Sequence, residues 1–359
     1  MRLSLAKKII VEGIKKNVTQ NTNIGGAVVG NPTTKPITFH LDGSMGIGKT
    51  ALAKQIAQDL GFYMQNIALA QLEPTDIGGM RMPQGDKMIT LQPDWYIDAD
   101  RMAQLEAEGY KGVLYFFDEL PQSPVLNMNI FAQICDEYRV GEYKLDRTKC
   151  YVMSAGNKLS DKAGTNTMPS HLIDRLTFLE IEPNLEDTCG YFAKTGVDHR
   201  VISWLRFQPE FLHQFKVGVN AYPTPRSIER SAQIMNWDLD DEAMAEAISG
   251  QIGRPAYANL KTHMDVHDKC PDIDKLIASP DTAEIVEEPA IMYALCSSLS
   301  TKANDKNIGN ILKYLKRLPN EEFQAFVLKD ALSRDNSLKQ NKDVRLWASA
   351  KGNGKYLVA

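Results

Sequence analysis

Residues 43–50, Gly43-Ser44-Met45-Gly46-Ile47-Gly48-Lys49-Thr50, match G-x-x-x-x-G-K-[ST] at every fixed position. Such a loop needs a strand before it and a helix after it. Pro36-Ile37-Thr38-Phe39-His40-Leu41 is a short apolar, β-branched run that reads as the strand. Ala51-Leu52-Ala53-Lys54-Gln55-Ile56-Ala57-Gln58-Asp59-Leu60 reads as the helix, ended by Gly61. The glycines let the backbone curl so that successive N–H groups point at phosphate oxygens, and the helix N-terminus adds partial positive charge. Lys49 is then placed to reach the β- and γ-phosphates, and Thr50 to hold Mg²⁺.

The rest of the chain must supply what this loop lacks. Its 359 residues are long for one core, so a large domain plus a smaller one is expected. Formal charge is −4, from 41 Lys and Arg against 45 Asp and Glu, so no global basic field points to nucleic acid or an anionic membrane. Five cysteines (Cys135, Cys150, Cys189, Cys270, Cys296) are odd in number, widely spaced and free of C-x-x-C. That argues for small buried hydrophobes in a reducing, cytoplasmic compartment rather than a disulfide framework. No apolar run approaches membrane-spanning length, and Met1-Arg2-Leu3-Ser4-Leu5-Ala6-Lys7-Lys8 turns polar too soon for a signal peptide.

Along the chain, Leu3, Leu5, Ala6, Ile9, Ile10 and Ile14 fall mostly on one face of an N-terminal helix. A docked helix is favoured over one lying on a membrane surface. Residues 18–35, rich in Asn, Thr and Gly, read as a loop. Phe62-Tyr63-Met64-Gln65-Asn66-Ile67 reads as a second strand. Residues 70–95 then form a turn-rich insertion with a short hairpin. Val113-Leu114-Tyr115-Phe116-Phe117, ending in Asp118-Glu119, is the uninterrupted apolar run of a parallel strand buried on both faces. Tyr151 to Asn157 and Thr177 to Ile181 complete an α/β parallel sheet. After Pro183 strand signals fade, and helical stretches at 198–206, 226–237, 241–250, 287–299, 305–317 and 320–333 read as an all-α half. The expected divisions are 1–35 (helix and linker), 36–183 (α/β nucleotide-binding domain), 184–300 (helical lid) and 301–359 (helical extension).

Ligands of an open parallel sheet bind outside the carboxyl ends of its strands, where Asp118, Glu119 and Asn157 all fall. Asp118 completes a Mg²⁺ site with Thr50, and Glu119 is placed to orient or deprotonate an attacking water. Asn157 is placed to bond the γ-phosphate or that water. Asn157-Lys158-Leu159-Ser160-Asp161 is one residue too long for the N-K-x-D element that reads guanine, so ATP is favoured over GTP. Phosphoryl transfer also benefits from an added cation, and Arg175, just before the fifth strand, and Arg226, opening a helix of the second half, are candidates.

The order of these elements closely resembles AAA+ ATPases, and most of all the MoxR-type branch, including homologues carried by bacterial viruses. The likeness lies in Phe117-Asp118-Glu119-Leu120, Arg139-Val140-Gly141-Glu142-Tyr143-Lys144-Leu145, Ala155-Gly156-Asn157, Asp174-Arg175 and Pro223-Thr224-Pro225-Arg226-Ser227, within residues 36 to 260. The resemblance implies that Gly43, Ser44, Met45, Gly46, Ile47, Gly48, Lys49 and Thr50, with Ala51 behind them, are the Walker A loop that binds ATP. It makes Asp118 and Glu119 the Walker B pair, with Thr50 and Asp118 on Mg²⁺, and Asn157 sensor 1. Arg175 becomes the finger acting on a neighbour's nucleotide, and Arg226 sensor 2 on the lid. Asn66 is a weaker candidate for restraining Glu119. Residues 70–95 and 139–150 match in position the helix-2 insertion and the hairpin before sensor 1, which face the central pore in related ATPases.

The resemblance therefore implies a homo-oligomeric ring, a hexamer, that hydrolyses ATP at subunit interfaces to remodel a protein partner, in this family one with a von Willebrand A-type domain. Two other readings stay open: a nucleic-acid motor or loader on the same ring, using Lys302, Lys306, Lys313, Lys316 and Arg317 as a patch, and a nucleotide-gated assembly switch with little turnover. His263, His267 and Cys270 are spaced for one helical face and are metal-capable, though Pro271 argues that the helix ends there. Trp95 and Tyr96 are read as packing rather than as substrate grips.

Overall fold

The computed structural model describes residues 1–19, 36–161, 164–350 and 353. The chain clusters into two compact units, Met1–Glu182 and Pro183–Ala359. The first unit runs through helix α1 (Leu3–Thr19), strand β1 (Thr38–Gly43), helix α2 (Lys49–Leu60) and strand β2 (Phe62–Ala68). Helix α3 (Pro74–Gly78), strands β3 (Arg81–Gln84) and β4 (Lys87–Thr90) and helix α4 (Ala99–Ala107) follow. Strand β5 (Gly112–Asp118) leads to helix α5 (Val125–Glu137), the short strands β6 (Arg139–Val140) and β7 (Tyr143–Lys144), strand β8 (Cys150–Gly156), helix α6 (Ser170–Ile173) and strand β9 (Leu176–Ile181).

Five of these strands form one parallel sheet in the order β2-β5-β8-β1-β9. Alternation along β5 shows why its sequence is apolar throughout. Val113, Tyr115 and Phe117 pack with Leu105, Phe131 and Ile134 on one face, while Leu114 and Phe116 pack with Ile10, Leu52 and Ile56 on the other. Helices on both faces therefore make this an α/β fold with a parallel sheet. β1 begins at Thr38 rather than Pro36, which has no N–H to donate to a ladder.

Helix α1 belongs to this core. Ala6, Ile10 and Ile14 are fully buried with Phe39 and Leu41, so its apolar face is occupied by protein and not available to a membrane. It continues to Thr19, two residues into the stretch read as loop; residues 20–35 lie outside the described residues, as does most of the tail 351–359. The insertion carries the antiparallel β3–β4 hairpin, and β6–β7 forms a second hairpin. The two are tied together: the Tyr143 hydroxyl donates to Thr90 O at 2.7 Å, the Tyr96 hydroxyl to Lys144 O at 2.8 Å, and the two rings lie 5.3 Å apart. Trp95 is buried, its Nε1 donating to Ile77 O at 3.2 Å and its ring set edge-on to Tyr115 and Phe117, so it packs rather than grips.

The second unit is helical throughout its described secondary structure. It comprises α7 (Leu185–Thr195), α8 (His199–Phe207), α9 (Pro225–Ile234), α10 (Asp241–Ile252), α11 (Arg254–His267), α12 (Ile273–Ala278), α13 (Pro289–Lys302), α14 (Ile308–Leu315), α15 (Glu322–Arg334) and α16 (Lys342–Ser349). Arg206 of α8 is buried between helices, its guanidinium bonded to Glu186 of α7 at 2.8 Å and to Asp330 of α15 at 2.7 Å. Removing the cation would leave Asp330, which is fully buried, as an unpaired buried charge, whereas Glu186 is 43% exposed and also pairs with Lys329. Helix α11 stops at His267, so Cys270 lies beyond it and the three metal-capable residues do not share one helical face. His263 bonds Ser203 Oγ through Nε2 at 2.9 Å, and among the described residues no group of His, Cys, Asp or Glu is arranged to hold a metal ion.

Candidate active site

β1 ends at Gly43, and α2 begins at Lys49. A Cβ at residue 43 would lie 2.7 Å from Ile181 O and 2.6 Å from Ile47 Cδ1, so only glycine lets the loop leave the strand here. Gly46 and Gly48 take positive φ (73° and 102°), the left-handed turns that aim consecutive N–H groups to one side. Ile47 plugs the loop into the core, 2% exposed. Ser44, Met45 and Ala51 flank these positions at intermediate burial.

Sheet order now decides what meets the loop. β8 runs between β1 and β5, so Asn157 emerges between the loop and Asp118. Lys49 Nζ donates to Gly43 O at 2.6 Å, Ser44 O at 2.9 Å and Asn157 Oδ1 at 2.9 Å. Thr50 Oγ1 donates to Asp118 Oδ2 at 2.7 Å. A hydroxyl and a carboxylate in direct contact form the hard-oxygen donor set that suits Mg²⁺, so the residues present fit that ion. Glu119 follows in the left-handed region, φ 58° and ψ 32°, with its N–H on Asp118 Oδ1 at 2.9 Å. For a non-glycine residue that backbone costs about 1–2 kcal/mol and needs support from its surroundings.

The support comes in part from residues that the sequence did not flag, Pro121, Gln122, Ser123 and Asn166. The turn Leu120–Gln122 packs onto the end of β8, and a Cβ at Gly156 would lie 2.1 Å from Pro121 Cδ. Asn166 holds the same turn, its N–H on Pro121 O at 2.6 Å and its Nδ2 on Ser123 O at 3.0 Å. Beneath Lys49, His40 is fully buried, with Nδ1 against Ser154 Oγ at 2.9 Å. Burial first, and then the Lys49 charge, push the His40 pKa down to about 3, so a neutral ring lies under the cation. Alternation placed His40 in a strand but could not place it under the loop.

Of the expected site residues, the structure brings together Gly43 to Thr50, Asp118, Glu119 and Asn157. Arg175 lies elsewhere. It precedes Leu176, which pairs with Thr38 at the start of β1, whereas Gly43 pairs with Ile181 at the far end. At roughly 3.3 Å per residue the two ends are about 17 Å apart, beyond the reach of an arginine side chain. Arg175 Nη1 donates to His171 O at 2.5 Å, and its Nε lies 3.7 Å from Asp136 Oδ2. It borders a cleft of about 400 Å³ lined by Ile37, Thr38, Asp136 and His171. Arg226 is exposed at the second position of α9 in the second unit, after Pro225 and within the Thr224–Ser227 capping box. Asn66 is exposed opposite Phe116, two residues before β2 ends.

No protein-family model matches the sequence, and a search of curated proteins finds no relative. Among solved structures, a point mutant of Thermotoga maritima RuvB shares 13% identity over 83% of each chain, with a TM-score of 0.39. PCH-2 of C. elegans shares 13% identity over 82% of this chain and 68% of its own, with a TM-score of 0.33.

Proposed function

We propose that the chain is an AAA+ ring ATPase of MoxR type that binds ATP with Mg²⁺ and hydrolyses it at subunit interfaces to remodel a protein partner. The observation that carries this reading is the pair of contacts made by adjacent loop residues, Lys49 to Asn157 and Thr50 to Asp118. In our reading the loop N–H groups and Lys49 bind the phosphates, and Thr50 and Asp118 hold Mg²⁺. The ion's contribution is to offset charge on the β- and γ-phosphate oxygens. Glu119 accepts the proton of the attacking water at its carboxylate, Asn157 orients that water, and Arg175 of a neighbouring subunit stabilises charge on the leaving phosphates. Its distance from its own loop supports action in trans. Arg226 is assigned to the lid, 184–300, and residues 301–359 to an extension; α13 packs on both α8 and α15, so the two share a core.

ATP is preferred to GTP because Lys158 is engaged by Glu180 and Asp161 is 8% exposed, so the near-match to the guanine-reading element offers neither side chain. A protein partner, for which we propose a von Willebrand A-type domain, is supported by the β3–β4 hairpin. Met80, Met82 and Leu91 are exposed on one face of that ribbon, and methionine-rich surfaces adapt to varied polypeptides. The rival nucleic-acid patch is partly engaged: Lys302 pairs with Asp274 at 2.6 Å, and Arg317 donates to Pro280 O. We assign a hexameric ring and a cytoplasmic location. All five cysteines are free, and no described helix is long and apolar enough to cross a membrane.

ATP hydrolysis measured against protein concentration, with size followed by light scattering, tests the reading. A cooperative rise on assembly is expected, lost in both Glu119→Gln and Arg175→Ala while Glu119→Gln still assembles. Turnover proportional to concentration in monomers and untouched by Arg175→Ala would overturn the ring mechanism. Nucleotide-dependent assembly without turnover would favour the switch, and salt-sensitive stimulation by DNA or RNA would favour the motor.

A further inference from the structure

Gln122, the last residue of the turn after Glu119, has no part in the mechanism above, yet it touches two residues that do. With its amide oriented to match its neighbours, Oε1 accepts from Asn157 Nδ2 at 2.8 Å and from the Asn157 backbone N–H at 3.3 Å, and Nε2 donates to Glu119 O at 3.3 Å. The opposite orientation would set its oxygen against a carbonyl and its nitrogen against donors, so the partners decide the assignment. The other end of the Asn157 amide accepts from Lys49 Nζ at 2.9 Å. Lys49, Asn157, Gln122 and the peptide of Glu119 thus form one continuous hydrogen-bonded line from the phosphate-binding cation to the base.

We propose that Gln122 is a positioning residue that ties the side chain of Asn157 to the backbone of Glu119, so that engagement of Lys49 by a phosphate is felt at the base. This rests on the ATPase reading above. Glu119 is held in a left-handed conformation by a turn already packed tightly on Gly156, so a small shift of its carbonyl re-aims the carboxylate. When phosphate oxygens compete for Lys49 Nζ, the hold of that ammonium on Asn157 Oδ1 weakens. Asn157 can then turn only by carrying the Gln122 amide with it or by giving up that hydrogen bond. Gln122 touches no reacting atom, so its contribution belongs in turnover rather than in nucleotide affinity.

The test is steady-state hydrolysis by the full-length chain for wild type, Gln122→Met and Gln122→Glu, with nucleotide affinity and melting temperature measured for each. Gln122→Met keeps the shape and removes all three side-chain hydrogen bonds, while the backbone bond from Gln122 N–H to Glu119 O is retained. It is expected to lower kcat about 10- to 100-fold while KM for ATP and nucleotide affinity stay within about twofold. Gln122→Glu keeps an acceptor for Asn157 but sets a carboxylate against Glu119 O. Its kcat relative to wild type at the same pH should rise as the medium is acidified, because the protonated acid regains a donor. Wild-type kcat in Gln122→Met overturns the proposal, and so does a loss of affinity and melting temperature that parallels the loss of kcat, which would mark a merely structural side chain. A Gln122→Glu ratio that does not change with pH also overturns it. Wild type without Glu119-dependent hydrolysis would instead remove the ATPase reading itself, and this inference with it.

Discussion

Gly156 shows how closely single positions are determined around the loop. Its hydrogen faces Pro121, and a Cβ there would lie 2.1 Å from Pro121 Cδ and 3.4 Å from His40 Cε1. Gly156→Ala should therefore push the Leu120–Gln122 turn outward. Overpacking of this kind costs about 1–3 kcal/mol, read as a lower melting temperature, and the displaced Glu119 should lower kcat well beyond what that stability loss explains. An unchanged kcat with only a lower melting temperature would show that the turn does not position Glu119. The loop itself was legible because phosphate binding demands glycines, a lysine and a hydroxyl at fixed spacing. Asp118 and Asn157 were legible because a polar residue ending an apolar strand stands out. Gln122 was not, since its meaning depends on a turn folding onto Asn157, a residue far along the chain.

Helices α8 and α11 face each other across a histidine cluster whose chemistry makes the helical unit sensitive to acid. The His267 ring lies 5.4 Å from His199 and 5.5 Å from His263. Burial depresses all three, His263 to about 4; for His267, burial and then the neighbouring His199, His263 and Arg200 bring it to about 3. The ordinary value is 6.5, so below it the unfolded chain takes up protons that the folded unit refuses. Stability is therefore present above about pH 6.5 and is lost as pH falls toward about 3–4. Melting followed from neutral pH down to about pH 5 should show a steady fall, reduced in His267→Gln; a flat profile would contradict the buried neutral state. His40 adds to the same trend from the first unit. In sequence His263 and His267, together with Cys270, had the spacing of metal-capable residues on one helical face, because i, i+4 spacing is visible while helix ends and burial are not. The β3–β4 hairpin was anticipated from turn-rich stretches and the β6–β7 hairpin from the family resemblance, but their joining through Tyr143 and Tyr96 was not, because those hydroxyls bond backbone carbonyls distant in sequence.

For the molecule as a whole, the position of Arg175 makes the sharpest prediction of the proposed ring. It stands at the start of β9, and the loop stands at the far end of the adjoining strand, so one subunit cannot bring the two together. Mixing Lys49→Ala chains, which keep Arg175, with Arg175→Ala chains, which keep the loop, should restore part of the ATPase that each lacks alone. No recovery across mixing ratios, with mixed assembly verified, would exclude action in trans. Residue order determined the glycine-rich loop ending in Lys49-Thr50, the acidic pair after an apolar strand, the alternation of strands and helices and the change to helices after Pro183, because each depends on spacing or periodicity within a short stretch. Only the tertiary structure decided that β8 lies between β1 and β5, that Asn157 therefore meets Lys49, that Gln122 spans Asn157 and Glu119, and that Arg175 is carried to the opposite end of the sheet. Strand order and side-chain contact are set by burial of both sheet faces at once, and no local run of residues encodes that.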